Sequence, residues 1–358
     1  MSVKRSDGTT NRQTQRPVVP KNQLPVAPGR VHQRAGQGDA VETAKKTNQR
    51  YTPGGSSARG GRASFGEGSV HGTQFGQSTS GDPTVNLNDP ALRAKHQTNG
   101  YRAERFYSPT FVDGIDGGDV IQGSIADCYF VAVLSSIAET DPEQIRKMIR
   151  DHDDGTCSVR FYTGYRLNPK HIRVDRDLYV RSPDSPLYST SKDRDADGKL
   201  ELWPALVEKA YAVLHGSYEA MGNGGNKSKV LEEVYGKRAG FQSLASVGDA
   251  QLKSLLKRVQ AKGLPMVAAT FGKDTPQASR YNGQRLSPWH AYALYGVSEK
   301  GGEFKVKLRN PWGHTEPGND GKNDGVFELS LADFRHFFRD ISWAGGRSTP
   351  LRNASAIA

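Results

Sequence analysis

The reading of this chain is decided by Asp119-Val-Ile-Gln-Gly-Ser-Ile-Ala-Asp-Cys-Tyr-Phe-Val-Ala-Val-Leu-Ser-Ser-Ile-Ala138. Turn formers open it and an apolar run follows, with Ile125, Tyr129, Leu134 and Ile137 on roughly one stripe of a helix. Asp127 stands at the expected N-cap, which puts Cys128 in the first turn. There the helix dipole favours a thiolate. Gln122, six residues before the cysteine, is placed to offer its amide to an oxyanion. Taken alone, a free cysteine on an apolar helix is more often a small core residue. Other segments of the chain change that balance.

Those segments are Ser287-Pro-Trp-His-Ala-Tyr-Ala-Leu-Tyr-Gly-Val297 and Phe304-Lys-Val-Lys-Leu-Arg-Asn-Pro-Trp-Gly313. Between them and the cysteine lies Glu201-Leu-Trp-Pro-Ala-Leu-Val-Glu-Lys-Ala-Tyr-Ala-Val-Leu-His-Gly-Ser-Tyr-Glu-Ala220. Gln122-Gly with Asp127-Cys128, then this helical run, His290-Ala-Tyr, and Leu308-Arg-Asn-Pro-Trp-Gly313 resemble, in order, the calpain family of papain-like cysteine proteases. The likeness extends over roughly residues 105–345. It implies an α+β, two-lobed papain-like fold: a helical lobe with the nucleophile helix and an antiparallel β lobe with the His and Asn. Ala126 and Tyr129 stand where the family usually has Gly and Trp.

Amide hydrolysis needs a thiolate, an acid/base, a group that orients it and oxyanion donors. The resemblance assigns these to Cys128, His290, Asn310 and Gln122, the last acting with the Cys128 N–H. Trp312 is expected to shield the His/Asn pair, and Gly123 and Trp289 to flank the substrate site. A strand histidine satisfied in the core and an Asn-Pro turn are the ordinary readings of His290 and Asn310. Their shared context favours catalysis. Cys157, which starts a strand with no His/Asn pattern, is expected to be structural.

The resemblance also implies calcium in each lobe. The first site maps onto Asp119 and Glu219, with backbone oxygens near Val112 and Gly114; the second maps onto Glu316 and Asp324. No organic cofactor is expected. Asp193, Asp195, Asp197 and Gly198 open like an EF-hand loop, but the twelfth position is Pro204, so a charged turn is expected.

Composition sets the outer limits. Of the +11 net charge, residues 1–100 carry fourteen Lys/Arg against six Asp/Glu, or +8, leaving +3 elsewhere. With 40 Gly and 35% apolar residues, the chain reads as four parts: a disordered, basic Gly/Gln/Ser-rich leader over 1–98, a first catalytic lobe over 99–222, a second over 223–346, and a tail over 347–358. The leader suits contact with anionic surfaces, targeting or removal by self-cleavage; specific nucleic-acid binding is not expected. Two cysteines argue against a disulfide framework, and neither a secretory signal nor a membrane-length apolar run is present. A cytoplasmic location, or export without a standard signal, follows as the expectation. The expected activity is that of a monomeric endopeptidase on protein or peptide substrates. The alternatives are amidase or transglutaminase-like acyl transfer by the same residues, and a non-catalytic peptide-binding module.

Further elements are expected as follows: a helix capped at Asp141-Pro142, strands over 156–163 and 171–180, a hinge at 222–226, and a helix over 248–262 ended by Gly263. Strands over 265–271, 289–298, 303–310 and 326–329 precede a last helix capped by Ser330.

Overall fold

A computed structural model describes residues 85–318 and 320–346. Most of the expected leader (1–84) and the expected tail (347–358) lie outside them, and so do the readings attached to those segments. Residues 85–98, expected in the leader, are already packed. α1 (Ala94–Gln97) carries a buried His96, Leu87 N–H donates to Asp175, and Asp89 pairs with Lys209.

The chain continues through β1 (Arg102–Arg105), α2 (Cys128–Thr140) and α3 (Pro142–Met148). β2 (Ile149–Asp151), β3 (Thr156–Thr163), β4 (Asn168–Asp175), β5 (Asp177–Ser182) and β6 (Ser185–Pro186) follow. Then come α4 (Trp203–His215), α5 (Tyr218–Met221), α6 (Lys227–Tyr235), β7 (Ala239–Ser243) and α7 (Asp249–Gln260). The remainder is β8 (Met266–Thr270), β9 (Ala291–Lys300), β10 (Glu303–Arg309), β11 (Val326–Ser330), α8 (Leu331–Phe337) and β12 (Phe338–Ala344). The strands form a six-stranded sheet, β11-β10-β9-β8-β12-β7, and two three-stranded sheets, β2-β3-β4 and β1-β5-β6. Their pairings are antiparallel, so the architecture is α+β.

The buried apolar residues form two clusters. One surrounds α2, α4 and α6; the other lies between the six-stranded sheet and α7 and α8. Strand alternation divides the sheet between them. Val267 and Ala291 join the first cluster, while Met266, Ala268, Tyr292 and Leu294 join the second. Small residues on the face toward α2 let that helix approach closely.

α2 is more deeply set than its expected stripe implies. Every residue from Cys128 to Ala138 is buried, which makes it a central helix apolar on all sides. The expected strand over 171–180 is two strands in different sheets, broken at Arg176. The break comes from Asp175, whose buried carboxylate takes Lys209 Nζ at 2.5 Å and the Asp177 N–H at 3.1 Å. The 222–226 segment, expected as a hinge, is pinned to the loop before α2: Gly224 N–H donates to Ala126 O at 3.0 Å. A Cβ on Gly225 would meet the Tyr129 ring at 2.4 Å, so only glycine fits.

The second half follows the sequence more closely. α7 stops at Gln260 and turns through Ala261–Gly263, slightly short of the expected end. Gly301 and Gly302, with φ of 57° and 83°, make the two-residue hairpin between β9 and β10. Ser330 accepts the Asp333 N–H at 3.1 Å as the α8 cap. No helix among the described residues is long and apolar enough to cross a membrane.

Candidate active site

Three segments meet at the start of α2. The first is the loop 118–127, knitted to the end of β10: Arg309 Nη1 donates to Val120 O at 2.8 Å, Nη2 to Gly118 O at 3.1 Å, and Gln122 N–H to Pro311 O at 2.8 Å. Arg309 is buried, and nothing in its sequence context singled it out. Gly123 lets the loop lie flat on its neighbour, since a Cβ there would stand 2.1 Å from Tyr188 O.

Asp127 occupies the N-cap position without capping through its side chain. Its carboxyl turns back to Gln122, whose Nε2 donates to Asp127 Oδ1 at 3.0 Å and to Ile125 O at 2.8 Å. Cys128 follows, buried, with its thiol against the Ala291 backbone amide one residue beyond His290. Burial pushes the thiol up to about 12, and the Ala291 amide opposes this. The dipole expected to favour a thiolate is therefore outweighed by desolvation. Cys157 is fully buried in β3, in line with a structural role.

His290 lies at the mouth of β9. Its backbone N–H donates to Thr270 Oγ1 at 2.9 Å, and its Nε2 meets Asn310 Oδ1 at 2.9 Å. Since an amide oxygen can only accept, Nε2 carries the proton and Nδ1 is the free basic nitrogen. Burial lowers the imidazole to about 4, with the Asn310 bond working in the other direction, so the ring is neutral. Asn310 is fixed in turn by Nδ2 donating to Thr315 O at 2.9 Å. The Trp312 ring centroid lies 4.5 Å from that of His290, over the His/Asn pair. Trp289 has φ 53°, a left-handed conformation rare for such a side chain, and its indole fills the space above Gly272.

The carboxylates group differently from the sequence mapping. Asp119 faces Asp193 and Glu201, with one ligand atom from each within 4.8 Å of the others. Glu219 is not part of this group. Its carboxylate accepts from Asn223 Nδ2 at 3.0 Å and from the Ala94 N–H at 3.0 Å, and pairs with Arg93 at 3.4 Å. Burial raises Asp119 to about 8 and Glu201 to about 7, with nearby carboxyls adding to both. Glu316 and Asp324 are each taken by a backbone amide, of Gly325 at 3.0 Å and Val326 at 2.9 Å respectively, and belong to no such trio among the described residues. From sequence, Asp193 is expected only as part of a charged turn and Glu201 only as the start of a helical run. Trp203 Nε1, two residues beyond Glu201, donates to Asp119 Oδ2 at 3.4 Å and ties the start of α4 to the Asp119 loop.

Comparison with known proteins identifies the family of the chain. The family model described as calpain family cysteine protease matches residues 87–344. The calpain-type cysteine protease DEK1 of Zea mays is 28% identical over 261 residues, covering 64% of this chain and 12% of that protein. Calpain-8 of Homo sapiens is 28% identical over 260 residues, covering 65% and 36%. Calpain clp-4 of Caenorhabditis elegans is 31% identical over 222 residues, covering 60% and 30%. The chain thus spans well under half the length of these relatives. A crystal structure of pepw from Lactobacillus rhamnosis aligns with a TM-score of 0.20 at 18% identity over 27% of each chain, too slight an overlap to bear on the fold. The match to the family model runs over more than half the chain and takes in every residue of the site described above: the chain belongs to the calpain family of cysteine proteases.

Proposed function

We propose that this chain is a calpain-like cysteine endopeptidase that cleaves protein substrates at a site between two papain-like lobes. The observation that carries this reading is the His290 Nε2–Asn310 Oδ1 bond beside a thiol lodged at the Ala291 amide. It leaves Nδ1 of a neutral imidazole as the base. The two apolar clusters, with the cysteine in one and the sheet bearing His290 and Asn310 bordering both, support the two-lobed arrangement.

In this reading Nδ1 of His290 takes the Cys128 proton as the sulfur attacks the peptide carbonyl. A C–S bond forms and the carbonyl oxygen becomes an oxyanion facing the Cys128 N–H and Gln122 Nε2. The imidazolium then protonates the leaving nitrogen, the C–N bond breaks and a thioester remains. Water, deprotonated by His290, releases the acid and restores the thiol. Asn310 holds the tautomer throughout, and Trp312 keeps water from their hydrogen bond.

Calcium belongs to the proposal with an altered ligand set. Asp119, Asp193 and Glu201 would hold it, because three clustered carboxyl groups supply the oxygen donors that a hard cation prefers. A bound divalent ion would supply the positive charge that lets these groups ionise together. This chain's own contribution is Arg309, which fixes the carbonyls on either side of Asp119. Casein hydrolysis by the wild-type chain, abolished in Cys128→Ser, is the expected result; turnover by the variant near the wild-type rate would refute the proposal. Amine incorporation in place of hydrolysis would favour the acyl-transfer alternative.

A further inference from the structure

Among the described residues, three buried side-chain polar atoms have no hydrogen-bond partner of the ordinary donor–acceptor kind, and two of them, Gln122 Oε1 and Asp127 Oδ2, belong to side chains bonded to each other through their other atoms. Asp127 is fully buried and Glu208, on α4, is 1% exposed. Nearby cations are otherwise engaged. Lys209 is held by Asp89 and Asp175, and Lys227 by Asp340. What Asp127 does meet is the carboxyl of Glu208.

Two carboxyl groups in contact in an apolar interior cannot both ionise, and hold one proton between them. The neighbours say where it sits. Glu208 accepts the Ser189 N–H at 2.8 Å and its O–H at 2.9 Å, so both Glu208 oxygens act as acceptors. Asp127 Oδ1 accepts from Gln122 Nε2 at 3.0 Å. The remaining oxygen, Oδ2, carries the proton and donates it to Glu208. Burial and the Glu208 charge together raise Asp127 far above the carboxylate range, in keeping with this assignment.

We propose that Glu208 and Asp127 are positioning residues of the peptidase site: a proton-sharing pair that keeps Asp127 neutral beside Cys128 and aims the Gln122 amide. The proposal rests on the peptidase reading above. A carboxylate next to Cys128 in the chain would oppose both the thiolate and the oxyanion. It would also hold the Gln122 N–H by a charge-assisted bond, in competition with the oxyanion. Both hydrogens of Gln122 Nε2 are engaged, one by Ile125 O and one by Asp127. The bond to a neutral acid is weak enough to be shared with an oxyanion.

Asp127→Asn and Asp127→Ala in the full chain test this. Asparagine keeps Oδ1 as acceptor and donates Nδ2–H to Glu208, so it loses less than ~10-fold in kcat, whereas alanine loses about 10- to 100-fold with a smaller change in KM. In a Gln122→Ala background, where ~10²–10³-fold is already gone, Asp127→Ala adds little. The infrared difference spectrum, wild type minus Asp127→Asn at neutral pH, contains a protonated-carboxyl C=O band that shifts in D2O, over and above the bands of Asp119 and Glu201 that both chains keep. An Asn variant as impaired as the Ala variant, full additivity with Gln122→Ala, or absence of the band would overturn the proposal. If Asp127→Ala does not fold, the Asn variant and the infrared band still decide. A wild-type chain that cleaves no casein would instead sink the peptidase reading, and the band would then report on the pair alone.

Discussion

The two sides of the site place opposite demands on protons. The cysteine side gathers buried acids: Asp119, Asp127, Glu201 and Glu208 are all raised, chiefly by burial. The histidine side buries a base, which burial lowers to about 4. One side is easiest to fold with protons on, the other with the proton off. Both effects arise from desolvation of the charged form, and their signs differ only because an acid is charged without its proton and a base with it. Burial thus works against charge on both sides of the site.

The comparison can be broken most decisively at its hinge point. Gly123→Ala drives a Cβ to 2.1 Å from Tyr188 O, backbone against backbone, with no flexible side chain to yield. We expect loss of the folded state or destabilisation by more than ~3 kcal/mol, among the larger effects of single substitutions, read by chemical denaturation. A stability within experimental error of wild type would show that the loop 118–127 is not seated as described.

The histidine side comes next. Its folded pKa of about 4 lies below the unfolded value of 6.5, so the unfolded chain binds the proton first. The contribution of neutral His290 is fully present above about pH 6.5 and is lost as pH falls toward 4, by up to about 3 kcal/mol. His290→Gln should remove this part of the acid sensitivity in urea titrations between those limits. On the cysteine side the sign reverses. Asp119 and Glu201, with folded values of about 8 and 7, contribute stability at low pH that fades as pH rises through those values. Asp119→Asn should flatten the stability profile between about pH 4 and about pH 8.

The smallest expected effect sharpens the same contrast in terms of metal. Glu201→Gln should weaken calcium uptake by tenfold or more in isothermal titration, about 1.4 kcal/mol. Glu316→Gln and Asp324→Asn should leave that first uptake step unchanged, because their oxygens serve backbone amides. Equal losses in all three would contradict the grouping.

The Cys128 helix, the strand that follows His290 and the Asn310 turn were legible because each is announced locally, by an apolar run, by alternation or by Asn-Pro-Trp-Gly. Side-chain partnerships were not. Asp127 at a helix start reads as a cap, yet its carboxyl turns to Gln122 and Glu208, the latter 81 residues on in the numbering. Glu219 lay in the right stretch for a cation ligand, but Arg93 and Asn223 claim it while Glu201, two residues before Trp203, faces Asp119. The 171–180 strand failed for a related reason, since alternation says nothing of the buried Lys209 that breaks it at Asp175. Long-range polar pairing depends on which elements meet, and a local pattern does not carry that information.

The central claim is that Cys128 and His290 form one reactive pair. It is tested most directly by an epoxide-type inactivator of cysteine proteases, with and without calcium, followed by peptide mapping. The account predicts covalent labelling of Cys128 and none of Cys157, lost in His290→Ala. Labelling that is equal at both cysteines, or that persists without the histidine, would contradict it.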